Sequence, residues 1–151
     1  MALFTFSDLP APVKDFSVAI VASEFNSEIV ESMLNSAMKT FRRAGISAEN
    51  IFVQTVPGAF EIPFAVKVLQ SRGGFDGILT LGAVVRGETF HFELVAREAA
   101  RGIMERNLFG EIPVVFGVLA TENFAQAEER IKNVPSLVAT TIAQMNLKAE
   151  N

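Results

Sequence analysis

The chain has 151 residues, of which 50% are hydrophobic and 20% charged, with a formal net charge of −4 and no cysteine. Its length suits one domain with a buried core, the missing cysteines exclude disulfides and thiolate chemistry, and the acidic balance without a basic block argues against nucleic-acid binding. No apolar run approaches the length of about 18 residues that a membrane-spanning helix requires, and the pattern of a secretion signal is missing. A cytoplasmic protein without membrane contacts is therefore expected.

Four short apolar runs follow an N-terminal segment that contains two prolines. Residues 1–16 are predicted to form an extended arm, because they show no clear period, and residues 17–151 to form a single domain. The runs are continuously apolar, which is typical of parallel strands covered on both faces. They are Val18–Ala22, Ile51–Thr55, Gly77–Leu81 and Val114–Leu119.

Segments with helical spacing alternate with these strands. The first runs from Ile29 to Phe41, with Gly45 as its stop. The others are predicted at about 60–71, 90–107, 123–132 and 136–147, with Pro135 between the last two. The apolar stripe of the helix at 90–107 consists of Leu94, Val95, Ala99, Gly102 and Ile103. This alternation predicts an α/β fold, a three-layer α/β/α sandwich with a four-stranded parallel sheet and helices on both faces.

The residues that suit chemistry cluster after the strands. In open parallel sheets, ligands bind beyond the carboxyl ends of the strands. The segments at these ends are 23–26, 56–61, 82–91 and 120–123, and they hold the unusual residues, whereas segments at the other end, such as Arg72-Gly-Gly-Phe-Asp76, resemble plain connections. We therefore expect the functional site at this edge of the sheet.

The segment 82–91 contains the one histidine of the chain. Its glycine spacing matches a nucleoside-triphosphate loop, but Glu88 stands where that loop requires lysine. Gly87 and Thr89, at the start of a helix, still offer backbone N–H groups and a hydroxyl to an anion. His91 can exchange protons near neutral pH. The alternative is a capping threonine beside an incidental histidine.

Three further side chains have both a functional and a structural interpretation. Glu61 can accept hydrogen bonds from a sugar-like ligand or simply complement the helix dipole. Phe25 can stack on a flat heterocycle or pack inward, and Arg130 can bind a phosphate or remain solvated. One histidine and no cysteine disfavour a zinc site, although carboxylates alone can hold magnesium.

Four segments together resemble lumazine synthase, the penultimate enzyme of riboflavin biosynthesis. They are Phe25-Asn26, Val56-Pro-Gly-Ala-Phe-Glu-Ile-Pro63, Gly82-Ala-Val-Val-Arg-Gly-Glu-Thr-Phe-His91 and Val114-Val-Phe-Gly-Val-Leu-Ala-Thr-Glu-Asn123. The likeness implies a flavodoxin-like transferase that condenses 5-amino-6-(ribitylamino)uracil with 3,4-dihydroxy-2-butanone 4-phosphate, giving 6,7-dimethyl-8-ribityllumazine, phosphate and water. It also implies no metal or redox cofactor, active sites shared within a homo-pentamer, an icosahedral capsid of pentamers in many members, and riboflavin synthase as a candidate partner.

The resemblance implies a role for each matching position. The pyrimidine and ribityl groups would contact Phe25, Asn26, Ala59, Phe60, Glu61, Val84, Val85 and, from the adjacent subunit, Phe116. The phosphate would be bound by Gly87, Glu88, Thr89 and Arg130. His91 would shuttle protons during imine formation and phosphate loss.

The chain departs from the family pattern after Arg130. Family members usually continue with a glycine- and lysine-rich segment, whereas this chain reads Arg130-Ile-Lys-Asn-Val-Pro-Ser136 and is shorter. A catalytically weakened member that binds flavin or lumazine, or that forms a shell, is therefore the alternative to an active enzyme. An electron-transfer flavodoxin is a third class, and it predicts tightly bound flavin.

Overall fold

The computed structural model describes residues 9–151, which contain five strands and five α-helices. The strands are β1 Val18–Ser23, β2 Ile51–Val56, β3 Gly77–Val85, β4 Val114–Val115 and β5 Val118–Thr121. The helices are α1 Ser27–Arg43, α2 Ile62–Arg72, α3 His91–Phe109, α4 Phe124–Arg130 and α5 Val134–Ala149. Residues 1–8 of the predicted arm lie outside the described range.

All strand pairs of the sheet are parallel. The strand order is β2-β1-β3-β4, and β5 pairs with β3 beyond β4. Because β4 and β5 follow one another along the same edge of β3, they share one position in the sheet. The four predicted strand positions are therefore confirmed, but the sheet has five strands instead of four.

The predicted fourth strand is interrupted at Phe116 and Gly117. The buried Thr80 hydroxyl on β3 donates to the Val115 carbonyl (2.8 Å) and accepts from the Gly117 N–H (3.2 Å). A Cβ at position 117 would collide with the Thr80 carbonyl oxygen. The prediction of one continuous strand is wrong, because a side chain of β3 takes over the pairing here, and hydropathy does not reveal such a contact.

Two apolar cores lie on opposite faces of the sheet. Along β1, Val18 and Ile20 belong to one core and Ala19 and Val21 to the other, as the alternation of side chains along a strand requires. Helices α1 and α5, with Ala127 of α4, cover the first face, while α2 and α3 cover the second. The predicted three-layer α/β/α sandwich is confirmed.

The helix boundaries agree with the sequence within a few residues. Gly45, directly after the cap of α1, has a φ of 103°, which glycine adopts without strain. Helix α2 begins at Ile62, because a 3-10 turn at Ala59–Glu61 precedes it. Pro135 lies in the first turn of α5, where its missing N–H costs no helical hydrogen bond.

The apolar stripe predicted for α3 is only partly buried. Ala99 and Ile103 lie in the core, but 49% of Leu94 is exposed. The predicted helical period is confirmed. Phe92 and Val95 in the first turns of α3 pack against the same core, and Leu94 is the one residue of the predicted stripe that is exposed.

The described part of the N-terminal segment contacts α5. Residues 9–16 contain neither helix nor strand. The Asn146 side chain donates to the Ala11 carbonyl (3.0 Å) and accepts from the Val13 N–H (3.0 Å), and Phe16 is buried in the core.

Within residues 9–151, the structure contains no helix with the length and hydropathy that a membrane crossing requires.

Candidate active site

A cavity of about 730 Å³ lies beyond the carboxyl ends of β1, β2 and β3, and this volume is in the range of small-molecule sites. Nine of the residues predicted for the site line it, namely Phe25, Ala59, Phe60, Glu61, Val84, Val85, Gly87, Thr89 and His91. The remaining lining residues are Pro57, Gly58, Ala83, Phe92, Leu94 and Val95. The walls are thus mainly apolar, and Glu61, Thr89 and His91 supply the polar side chains.

The loops after β1 and β2 are joined by backbone hydrogen bonds. The Glu24 N–H donates to the Val56 carbonyl (2.8 Å), and the Phe25 N–H donates to the Pro57 carbonyl (3.0 Å). This pairing fixes the backbone of Phe25, whose side chain is 71% exposed. Phe25 therefore presents its ring at the cavity instead of packing inward.

Asn26 lies behind the cavity and does not line it. Its φ of 58° is left-handed, a conformation that asparagine tolerates better than most residues. Its side-chain amide donates to the Ala83 carbonyl of β3 (2.8 Å). Asn26 thus connects the loop after β1 to the end of β3, and it positions Phe25 from behind.

The end of β3 leaves one backbone edge open to the cavity. The pairing with β1 stops where Leu81 lies opposite Ala22, while β3 continues to Val85 beside β5. The N–H groups of Gly82 and Arg86 donate towards the β5 side. Since backbone groups alternate along a strand, those of Val85 face the open edge and can bind a planar ligand.

The Glu61 carboxylate lies against the backbone of Gly58. A 3-10 turn, in which the Glu61 N–H donates to the Gly58 carbonyl (3.1 Å), folds the chain back. A Cβ on Gly58 would come within 3.1 Å of Glu61 Oε2, which is a tight contact. The glycine therefore makes room for the carboxylate at the mouth of the cavity.

The loop 87–90 leads from β3 into α3. Thr89 Oγ1 accepts from the His91 N–H (3.3 Å), so Thr89 contributes to the start of the helix, and all these residues are exposed. The start of α3 carries the positive end of the helix dipole. Because Gly87, Thr89 and His91 also line the cavity, the structural role of Thr89 does not exclude anion binding.

Arg86, which directly precedes the loop, is not among the predicted site residues, yet its side chain contacts Glu122, Glu93 and Phe92. Its Nε donates to Glu122 Oε2 (2.6 Å), its Nη1 donates to Glu93 Oε1 (3.2 Å), and its guanidinium carbon lies 4.5 Å from the centre of the Phe92 ring. The hydrogen bonds that Arg86 donates, first to Glu122 and then to Glu93, raise the pKa of Arg86 above its ordinary value. The sequence feature that could have indicated a role for Arg86 is its position between β3 and Gly87.

Besides Asn26, three predicted residues do not line the cavity of this chain. Glu88 is exposed on the outer side of its loop. Phe116 lies at the break between β4 and β5 and is 44% exposed. Arg130 ends α4, where its Nη1 donates to the Gln126 carbonyl of the same helix (3.2 Å).

No cluster of three or more acidic or histidine side chains with a metal-binding arrangement occurs within residues 9–151. The polar groups of the cavity are instead suited to hydroxyls and to an anion.

A comparison with known families matches residues 15–149 to 6,7-dimethyl-8-ribityllumazine synthase. The matched range contains all five strands and all five helices described above. It also contains every residue that lines the cavity. The chain therefore belongs to the 6,7-dimethyl-8-ribityllumazine synthase family.

Proposed function

We propose that the chain condenses 5-amino-6-(ribitylamino)uracil with 3,4-dihydroxy-2-butanone 4-phosphate to form 6,7-dimethyl-8-ribityllumazine. The observation that carries this proposal is one cavity that combines an exposed aromatic ring, Phe25, with the Glu61 carboxylate and His91. Family membership supports a role in riboflavin biosynthesis. The cytoplasmic location remains a prediction of the sequence.

The pyrimidine substrate fits the apolar part of the cavity. Its ring would stack on Phe25, which offers a flat and solvent-accessible face. The backbone groups of Val85 on the open edge of β3 would pair with the polar edge of the pyrimidine. The ribityl chain would lie along Ala59–Glu61, with Glu61 accepting hydrogen bonds from its hydroxyls.

The phosphate-bearing substrate fits the loop end of the cavity. Its phosphate would bind the N–H groups and the Thr89 hydroxyl at the start of α3. The amine of the pyrimidine is itself the nucleophile, so the protein needs no thiol or serine. The two substrates would be held in contact, which supplies the entropic part of catalysis, and His91 would move protons as the imine forms and phosphate leaves.

A catalytically weakened binding protein is the second candidate function. Arg130 contacts its own helix, and the chain continues through a single 3-10 turn, Ile131–Asn133, directly into α5. This short connection leaves little free backbone with which to extend over a phosphate. Such a protein would bind lumazine or flavin in the same cavity with little turnover.

Mixing both substrates with the protein is expected to produce the lumazine at a rate proportional to protein concentration. Lumazine absorbance and fluorescence report the product, and reactions that lack either substrate are the controls. No product at high protein concentration would contradict the first proposal. Binding of added lumazine under those conditions, measured by equilibrium dialysis, would then favour the second.

We also propose a homo-oligomer, with a pentamer as the expected form. Large apolar side chains are exposed on α2 and α3, including Phe64, Val68, Leu108 and Phe109, and an exposed apolar surface of this kind is typical of an interface. In addition, Phe116 and Arg130 do not line the cavity of one chain. A neighbouring copy could supply them.

Light scattering is expected to give a mass near a multiple of five times the 16.4 kDa of one chain. Phe64→Asp should lower this mass, because a carboxylate on the α2 surface would be desolvated in the interface. Arg43→Asp, at the exposed end of α1, is the matched control and should not. A monomeric wild-type protein at micromolar concentration would contradict a site shared between subunits.

A further inference from the structure

We propose that Arg86 is a positioning residue, which holds the loop 87–90 and His91 in place and does not itself bind the phosphate. This inference deepens the proposed function and, for its catalytic consequence, rests on it. The placement of the loop, however, is a property that can be measured without turnover.

Arg86 connects three segments around the loop. Its backbone N–H donates to the Thr121 carbonyl (2.8 Å), which extends the pairing of β3 with β5 by one residue. Its side chain then contacts Glu122, directly after β5, and Glu93 and Phe92 in the first turn of α3. The end of the sheet, the segment after β5 and the start of α3 are thus joined at one side chain.

The two ends of the loop meet at this side chain. Arg86 precedes Gly87, and Glu93 follows His91 by two residues, so their ion pair (3.2 Å) lies across the base of the loop. Glu122 is itself fixed, because its N–H donates to the Gln126 side chain (2.8 Å). A loop fixed at its base loses less conformational entropy when a ligand orders it. The contacts of Arg86 therefore favour a preformed loop.

Arg86 is unsuited to bind the phosphate directly. Two carboxylates already accept from its Nε and Nη1, and the network of Arg86, Arg97, Glu93 and Glu122 contains two cations and two anions. Both sequence neighbours, Val85 and Gly87, line the cavity, whereas Arg86 does not. A phosphate at the remaining N–H groups would lie beside the two carboxylates, whose negative charge would repel it.

Glu122→Gln distinguishes positioning of the loop by Arg86 from direct binding of phosphate, because it keeps the size of the Glu122 side chain and removes its charge. If Arg86 is a positioning residue, the variant should bind inorganic phosphate roughly three- to fivefold more weakly, as expected for the loss of an exposed ion pair. Amide hydrogen exchange of Glu93 and Leu94, whose N–H groups donate to the Phe90 carbonyl of the loop, should accelerate by a similar factor. If Arg86 instead binds the phosphate, the variant frees its guanidinium and phosphate binding becomes tighter.

Arg86→Lys and Arg86→Gln complete the series. Lysine keeps the charge but loses the planar fork that contacts both carboxylates, so Arg86→Lys should retain only part of the slow amide exchange of Glu93 and Leu94. Arg86→Gln should lose this slow exchange. In active protein, both should raise the KM for the phosphate-bearing substrate more than that for the pyrimidine. A uniform loss of kcat with unchanged KM values would overturn the inference.

Arg101→Gln is the matched control. Arg101 also contacts two carboxylates, Glu98 and Glu105 (both at 2.6 Å), but on the later turns of α3, away from the loop. This variant should leave the exchange of Glu93 and Leu94 unchanged. Unchanged exchange there in Glu122→Gln, at a melting temperature equal to that of the wild type, would overturn the inference. Because exchange is measured without substrates, this result is distinguishable from a failure of the proposed reaction.

Discussion

His91→Ala is expected to lower kcat by about 10²- to 10³-fold, the usual contribution of a positioned general acid–base. His91 supplies the one imidazole among the residues that line the cavity, and histidine is the commonest general acid–base in enzymes. The proposed reaction requires several proton transfers, first to form the imine and later to release phosphate. Steady-state rates of lumazine formation, with both substrates saturating, measure the effect.

Binding of the pyrimidine should be largely retained in His91→Ala. Its proposed contacts are Phe25, Glu61 and the backbone of Val85, so its Kd should change by no more than about fivefold, equivalent to one hydrogen bond. Because His91 is exposed, added imidazole should enter the space left by the alanine and restore part of the rate. His91→Gln, which keeps a polar side chain, should be equally slow. Unchanged turnover in either variant would remove His91 from the mechanism.

Gly117→Ala is expected to destabilise the fold by about 3 kcal/mol, near the upper end of overpacking penalties. The added Cβ would collide with the Thr80 carbonyl oxygen, and Thr80 lies in the central part of β3, which cannot move away. The edge formed by β4 and β5 would have to shift instead, and Phe116 would shift with it. A fall in melting temperature of roughly 6–12 °C is the expected signal.

Gly87→Ala is the matched control for stability, because a Cβ at position 87 meets no atom within 4 Å. Its melting temperature should equal that of the wild type at the same protein concentration. Thr80→Ser should also fold normally, since it keeps the hydroxyl that contacts Val115 and Gly117, whereas Thr80→Val should be destabilised. A Gly117→Ala protein as stable as Gly87→Ala would contradict the close approach at the strand break.

The layers of the fold were predictable because they depend on periodicity. Continuous apolar runs predicted β1, β2 and β3, and the stripe from Ile29 to Phe41 predicted α1. The break between β4 and β5 was not predictable, because it depends on the Thr80 hydroxyl of another strand. The exposure of Leu94 could not be predicted for a related reason: the helical period indicates which residues share a face, but not that a cavity lies beside the first turns of α3.

The candidate site was predictable where the fold itself brings residues together. Phe25, Glu61 and His91 follow three different strands, and a parallel sheet places all three strand ends at one edge. The partners of Arg86 could not be inferred, since Glu93 and Glu122 are separated in sequence and charged residues of this kind are usually solvated. The roles predicted for Phe116 and Arg130 depend on a neighbouring copy and stay predictions.

The aromatic side chains of the cavity have an optical consequence. Phe25, Phe60 and Phe92 line it, and the whole chain contains neither tyrosine nor tryptophan. Phenylalanine absorbs only weakly, at shorter wavelengths than tyrosine and tryptophan, and it is a poor electron donor to an excited heterocycle, whereas tyrosine and tryptophan quench bound flavins by electron transfer. A lumazine or flavin in this cavity should therefore keep its emission, and the protein should add almost no absorbance at the wavelengths that excite the ligand. The ligand would then serve as its own reporter of occupancy.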